Sequence, residues 1–580
     1  MTNPGQAAPA GRLGMARRLP RPRLEVALFV VLLAALAWLV LPPLLVLIDT
    51  SLHGSAGKQT GYTLDNYDVV LRSLAGGPEL LVNSLVFAFG GAIVAVILGT
   101  TMAWLAERTN APFANVAYLA AFFSFAVPGI IKIIAWIFLL GPNAGFLNVW
   151  AMKLFGLESA PFSIFSMGGM IMLDGISWAP VVFLLMTSPF RAMDPALEES
   201  AAMSGASSWW VFSRITFRLA APTVAAVLLL TLVRSLQAFD IAALIGIPAG
   251  VQVFTTTIFL EITQGFFPSY GNAAAYSVVL VAIVGLALIP YYRLSQHGQK
   301  YATITGKGFR PRRIDLGRWR IPAGAVMLLL PSFLLLPVLV IIWASLLPYI
   351  QPPSLEALRS ITLENFPIAF SNSSIVRSIT NTLIVSSSAA SAVVILTLVA
   401  AWVILRTRFR GRWIIDLLAT LPLVFPGIVL GLAVLQIYLT VPIPIYGTIW
   451  IIAVAFVAKF LPYGMRYNHA GLLSIHRELE ESAQMSGASF LMIARLIIAP
   501  LMVPAIVASW IYVFLVTSHE LSEALLLSSP GNEILSITIW DLWLNGQLGS
   551  LMAFSVVITF ALVLLAFVLL RFSRSQGQTI

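Results

Sequence analysis

The sequence predicts an all-α polytopic membrane protein with about 12 transmembrane helices, built as two parallel six-helix repeats. Three observations lead there. Of 580 residues, 59% are hydrophobic and 10% are charged, whereas an ordinary soluble domain is about 45–50% apolar and about 25% charged. So few charges cannot coat one soluble core of that size, and soluble enzyme classes drop out. The apolar residues also fall into runs close to the ~20 residues that cross a bilayer as a helix. Finally, the second half of the chain repeats stretches of the first. Cysteine is absent, which excludes disulfide frameworks, thiolate metal sites, iron–sulfur clusters and cysteine nucleophiles.

Residues 1–23, rich in Pro, Gly, Ala and Arg, read as a disordered tail. A basic start before an apolar run also fits a signal peptide. The run 26–48 is 23 residues long, however, against about 7–15 for a signal-peptide core, and no persuasive cleavage site follows. It is read as the first span. Further spans are expected near 80–106, 116–140, 165–188, 220–245, 274–294, 321–347, 378–405, 413–439, 446–468, 499–525 and 550–571. Twelve spans place both termini on one face. With the termini in the cytoplasm, segments on that side hold 26 Lys and Arg. Segments on the other side hold five: Lys58, Arg72, Lys153, Arg359 and Arg377. That asymmetry follows the positive-inside rule, and it accounts for the net charge of +10 without nucleic acid.

The duplication is legible residue by residue. Residues 197–207 read LEESAAMSGAS and residues 479–489 read LEESAQMSGAS, at an offset of 282. The same offset pairs Pro180 with Pro462, Pro222 with Pro504 and Pro248 with Pro530. Earlier in each half the offset is 298, pairing Asn83 with Asn381, Ala103-Trp104 with Ala401-Trp402, Arg108 with Arg406, and Pro128-Gly129 with Pro426-Gly427. The first half therefore carries 16 extra residues, expected in an outside loop around 141–163. The repeats are expected at 24–294 and 321–572. A basic cytoplasmic linker at 295–320 joins them, and a short cytoplasmic tail at 573–580 ends the chain.

Parallel halves alone also fit a secondary carrier. A cytoplasmic loop better preserved between the halves than the spans points instead to one kind of partner surface met twice. The local chemistry agrees. Asp194-Pro195 suits the cap and first turn of a helix. Glu198 and Glu199 follow where the helix dipole favours anions. Gly205 can supply the left-handed residue that ends the helix, and Ser207 can cap a second one through Trp209, Phe212 and Ile215. In the other copy Ser474 is the candidate cap, followed by Glu480, Glu481, Gly487 and Ser489.

Glu199-Ser200-Ala201 through Gly205, and Glu481-Ser482-Ala483 through Gly487, resemble the EAA signature of ABC importer permeases. In that signature Glu-Ala-Ala is followed after three residues by Gly. Ser200 and Ser482 replace the middle Ala, and Arg218 stands where the second copy has Pro500. The resemblance covers roughly residues 24–572. It implies the type I permease fold, with coupling helices near 194–215 and 474–496. Glu198, Glu199, Ala201 and Gly205, with Glu480, Glu481, Ala483 and Gly487, would engage two copies of an ATP-binding cassette ATPase. It also implies an extracytoplasmic solute-binding protein and a bacterial cytoplasmic (inner) membrane location. The sequence holds no G-x-x-x-x-G-K-[ST] phosphate loop, since Gly306-Lys307 lacks the earlier Gly and the following Ser or Thr. The chain is thus read as a transport subunit and not an enzyme, with no cofactor of its own and ATP on the partner.

Ionisable groups within spans are functional candidates. They are Lys132, Asp174, Arg234, Asp240, Lys459, His519, Glu520 and Glu523. Lys132, Asp174 and Lys459 read equally well as snorkelling or structurally paired groups. Arg234, Asp240, His519, Glu520 and Glu523 are the translocation-path candidates. Arg234 and Asp240, six apart, are expected on differing faces of one helix, and Glu520 and Glu523 on one face, where they would make a cavity acidic. A lone His519 is not a metal site.

Residues 234–257, 517–547 and LPLVFPGIVLGLA at 421–433 look like the fused permeases of ferric iron importers. That resemblance implies ferric iron as solute, with thiamine, an organophosphonate or a polyamine as alternatives. An ion-coupled secondary carrier would leave the twin loops unexplained. A membrane-embedded enzyme or receptor would need a converging constellation, and Glu198-Glu199 and Glu480-Glu481 stand 282 apart in equivalent positions instead.

Overall fold

The computed structural model describes residues 22–54, 61–76, 79–193, 196–298, 313–407 and 409–577. Most of the expected tails, the Asp194-Pro195 cap and the middle of the linker lie outside these residues. Among the described residues the regular elements are helices, and the chain is an all-α polytopic membrane protein of two parallel repeats. Ten helices are long and apolar enough to cross a membrane, or up to 12 if each of two bent pairs counts as one span.

The spans expected at 116–140 and 413–439 are each broken by a sharp bend. Ala114–Ala126 and Gly129–Leu140 meet at 108°, and Arg412–Val424 and Gly427–Thr440 meet at 111°. The cause is the repeated Pro-Gly. A proline forces the residue before it into extended backbone and cannot continue the hydrogen-bond ladder. Val127 accordingly has ψ 126° and Phe425 has ψ 115°. Two further spans end early. The helix expected at 220–245 stops at Leu236, and the one at 499–525 stops at Ser518. The following residues are apolar because protein buries them: Ala242–Gly246 are all buried. Apolarity alone cannot separate that state from contact with lipid.

The extra residues of the first half form the helix Phe146–Phe155. Buried Asn148 pins its segment, donating to the carbonyls of Gly141 at 2.9 Å and Phe162 at 2.8 Å. A second pinning device occurs in both halves and was not legible beforehand. Asn66 donates to the carbonyls of Ser51 (2.9 Å) and His53 (2.7 Å). Asn365 does the same to Ser345 (2.9 Å) and Leu347 (2.7 Å). Each is covered by a glycine that has no room for a side chain. A Cβ on Gly271 would lie 2.7 Å from Asn66 Nδ2, and one on Gly549 would lie 2.6 Å from Asn365 Oδ1.

The halves interlock through their first helices. Pro22–Ser51 packs on Arg412–Thr420 and Gly427–Thr440 of the second half. Leu32, Leu36 and Val40 are buried there with Ile415 and Leu418. Arg320–Ser345 packs reciprocally on Ala114–Ala126 and Gly129–Leu140. One buried apolar cluster then runs through both halves around a central cavity.

Candidate functional site: twin loops and a charged cavity

The repeated loops fold alike. Ala196–Met203 is followed by Gly205 with φ +85°, then a short helix from Ser208. Arg477–Met485 is followed by Gly487, also with φ +85°, then a short helix from Phe490. Only glycine takes that left-handed conformation without steric cost. The turn brings the Ala206 N–H to Ala201 O at 3.0 Å and the Ala488 N–H to Ala483 O at 3.0 Å. Ser207 and Ser489 each accept from the backbone three residues on, at 3.3 Å. Ser474 does not cap the second loop. It ends the preceding helix, Ile449–Leu473, and donates to Gly471 O at 2.7 Å, while His476 holds the cap position.

The glutamates, expected to act together, divide into two kinds. Glu198 and Glu480 are buried, at 6% and 7% exposure. Glu198 pairs with fully buried Arg108 and accepts from Thr216 Oγ1 at 2.5 Å. Glu480 pairs with Arg406 at 2.6 Å. The two arginines also hold backbone at the approach to each loop: Arg108 donates to Met193 O at 3.2 Å, and Arg406 to Ile475 O at 2.8 Å. Glu199 and Glu481 face solvent instead. Beside them, at equivalent positions, stand exposed Leu197 and Met203, and Leu479 and Met485. The methionines are 85% and 90% exposed, so nothing among the described residues covers them. Each loop helix is thus clamped on one side and offers an acidic, apolar surface on the other.

The cavity, about 220 Å³, lies between the halves. Lys132, Arg234, Asp240, Lys459, His519 and Glu520 line it. Arg234 pairs with buried Asp174, which also accepts from Ser235 Oγ at 2.5 Å, and its guanidinium lies 4.3 Å over the Trp178 ring. Lys459 pairs with buried Glu523. Lys132 donates to Ser124 O at 3.1 Å. Ser522 Oγ donates to Asp240 at 3.3 Å. Residues 240 and 522 are related by the 282 offset, so the halves touch at equivalent points and the cavity sits on their two-fold pseudo-axis.

Arg234 and Asp240 reach the same cavity, despite the differing faces expected, because the helix ends between them. Glu520 lines the cavity, while Glu523, on Ser522–Leu527, is buried behind the lining beside both Glu520 and Lys459. The lining carries both signs and is not simply acidic. Lys132 and Lys459 belong to it, although sequence reasoning left them open between structural and path roles. Their position within spans was the available signal. Among the described residues no three His, Asp or Glu gather to hold a metal ion.

The sequence profile of the family described as "Binding-protein-dependent transport system inner membrane component" matches residues 95–297 and 393–579. The chain belongs to that family. The two matches start 298 positions apart, the offset already read from the repeat, so one chain fuses two copies of the family's unit. The chain is 23% identical over 518 residues to "Ferric transport system permease protein FbpB" of Actinobacillus pleuropneumoniae, covering 88% of this chain and 73% of that one. It is 26% identical over 469 residues to "Fe(3+)-transport system permease protein FbpB 2" of Haemophilus influenzae, covering 80% and 84%. A shorter relative, "Putative 2-aminoethylphosphonate transport system permease protein PhnU" of Salmonella choleraesuis, is 25% identical over 274 residues, covering 45% of this chain and 93% of its own length. As a fused permease of this family, the chain places one cavity at the centre of two copies of one scaffold.

Proposed function

We propose that this chain is the membrane-spanning subunit of an ATP-driven importer and forms the path for a solute delivered by an extracytoplasmic binding protein. The observation that carries the reading is the pair of loops. Each presents the same uncovered Leu, Met and Glu at equivalent positions, which suits two identical partners docking side by side. Those partners are two copies of an ATP-binding cassette ATPase, with ATP bound and hydrolysed there. Both termini are cytoplasmic and the membrane is the bacterial inner membrane, in keeping with the 26-to-5 division of Lys and Arg. Closure of the ATPase dimer draws the loops together and opens the central cavity to one side at a time.

The proposed solute is ferric iron, supported by the ferric permeases among the relatives. A second reading, an organophosphonate, is favoured by Lys132 and Arg234 in the cavity lining, which suit an anionic group, and by the phosphonate permease relative. Uptake in cells lacking the chain, then complemented with it, decides among labelled ferric iron, thiamine, 2-aminoethylphosphonate and a polyamine. Each is measured with and without the cognate ATPase. ATPase-dependent uptake of iron alone is the expected result. ATPase-dependent uptake of another solute replaces iron and keeps the mechanism. Uptake indifferent to the ATPase sinks the importer reading and revives a secondary carrier.

A further inference from the structure

We infer that each half carries the stroke of its docking loop to the central cavity along one continuous helix, hydrogen-bonded at both ends. This rests on the importer reading above. The helices are Glu79–Arg108, 30 residues, and Ser373–Arg406, 34 residues. At 1.5 Å per residue they extend roughly 45 and 51 Å, enough to cross the bilayer in one piece.

At the loop end, Arg108 clamps Glu198 and Arg406 clamps Glu480. At the far end, Ser84 Oγ accepts the Phe254 N–H at 3.0 Å, and Thr382 Oγ1 accepts the Leu535 N–H at 2.8 Å. Those N–H groups open the helices Phe254–Thr263 and Leu535–Leu544, where first-turn donors have no partner within their own helix. The next residue completes the route. Thr255 Oγ1 donates to Ala238 O at 2.8 Å, and Ser536 Oγ donates to Glu520 O at 2.6 Å. Ala238 and Glu520 both line the cavity.

Every link recurs at matching positions. Arg108 and Ser84 map onto Arg406 and Thr382 at the offset of 298, and Glu198 and Ala238 onto Glu480 and Glu520 at 282; Phe254-Thr255 open their helix as Leu535-Ser536 open theirs, at an offset of 281. Where the hydroxyl residue differs, Ser and Thr exchange and the hydroxyl stays. Ser84, Thr255, Thr382 and Ser536 are buried, so a broken link leaves a polar group unsatisfied away from water. The loop helix therefore cannot shift without its long helix, nor the long helix without the segment that walls the cavity. Ser84, Thr382, Thr255 and Ser536 are positioning residues in this scheme.

The absence of cysteine supplies the test. A single Ser177→Cys in the cavity lining is labelled with a thiol reagent in liposomes holding the permease, its ATPase and its binding protein. Labelling rates are compared with and without ATP. In the otherwise unaltered chain, ATP is expected to change the rate. No change there sinks the importer reading itself. Thr255→Val with Ser536→Ala, and separately Ser84→Ala with Thr382→Val, should keep the ATPase bound and hydrolysing. The ATP-dependent change in rate should shrink by at least ~5-fold, the low end of measured coupling between sites. Exchanging the hydroxyls, Ser84→Thr with Thr382→Ser, should preserve the response. A full-sized response in both hydroxyl-free pairs overturns the inference. So does a hydroxyl exchange that performs no better than removal.

Discussion

The loops and the cavity wall belong to the same duplication and have followed opposite courses. Between the loops, Glu198, Glu199, Ala201 and Gly205 return unchanged as Glu480, Glu481, Ala483 and Gly487. Around the cavity almost nothing returns. Lys132 faces its equivalent Leu430, Asp174 Phe456, Arg234 Val516, Lys459 Ser177, Glu520 Ala238 and Glu523 Ile241. Two partner surfaces of the same kind require two copies of one loop. A single path on the pseudo-axis needs each chemical group once, and the fused chain can place it on one side only. A homodimer would have to repeat every charge.

The largest effect is expected where the halves agree. Met203→Asp with Met485→Asp puts a charge on both uncovered faces. If each side chain is an anchor of about 2 kcal/mol, each ATPase binds roughly 30-fold more weakly, and the pair together roughly 1,000-fold, read as loss of co-purification with the chain still inserted. Glu199→Arg with Glu481→Arg should act in the same direction, releasing the ATPase or uncoupling hydrolysis from uptake. Next come the clamps. Removing one partner of a buried ion pair costs about 3–5 kcal/mol. Arg108 is wholly buried while the Arg406 side chain is 10% exposed, so Arg108→Ala should lower the unfolding temperature in detergent more than Arg406→Ala. Equal shifts would show that the halves share stability as evenly as they share sequence.

A smaller effect tests the divergent wall. Lys132→Leu makes the first half match the second at that position. It should reduce uptake about tenfold, the scale of one lost hydrogen bond to a charged group, while ATPase binding stays normal. Unchanged uptake would remove Lys132 from the path. The smallest effect lies at the surface, where Arg377 meets Glu533 at 3.2 Å in the second half; in the first half Glu79 stands where Arg377 does and Gln252, like Glu533 two residues before its helix, stands where Glu533 does. Burial works against ionisation of Glu533, yet the Gly531 N–H and Arg377 hold it below its ordinary range. A lowered carboxylate stabilises the fold above its unfolded pKa and loses that contribution as pH falls through the folded one. Arg377→Ala should therefore cost at most about 1 kcal/mol near neutral pH, and its difference from the unaltered chain should vanish in acid.

The spans, the duplication and the loops were legible because each leaves a local trace: an apolar run, a fixed offset, or a glycine after an acidic turn. The bends at Pro128-Gly129 and Pro426-Gly427 were visible as residues, yet the apolar run continues across them and hides the change of direction. The split between Glu198 and Glu199 was hidden because adjacent residues on a helix face different ways, and only the position of Arg108 reveals which way is inward. The route through Ser84 and Thr255 leaves no pattern at all. Its partners lie 170 and 17 residues away and bond through backbone atoms, which carry no sequence signature.

The exchanged first helices bear on how the protein is made. The buried face of Pro22–Ser51 closes on side chains such as Leu418, which leave the ribosome nearly 400 residues after Leu36. At roughly 5–20 residues per second, that helix waits about 20–80 s for its permanent neighbour. During that interval lipid or an insertion chaperone must cover its partner face. A chain terminated in the linker would leave that face without its mate, so early termination, more than late, should mark the product for degradation.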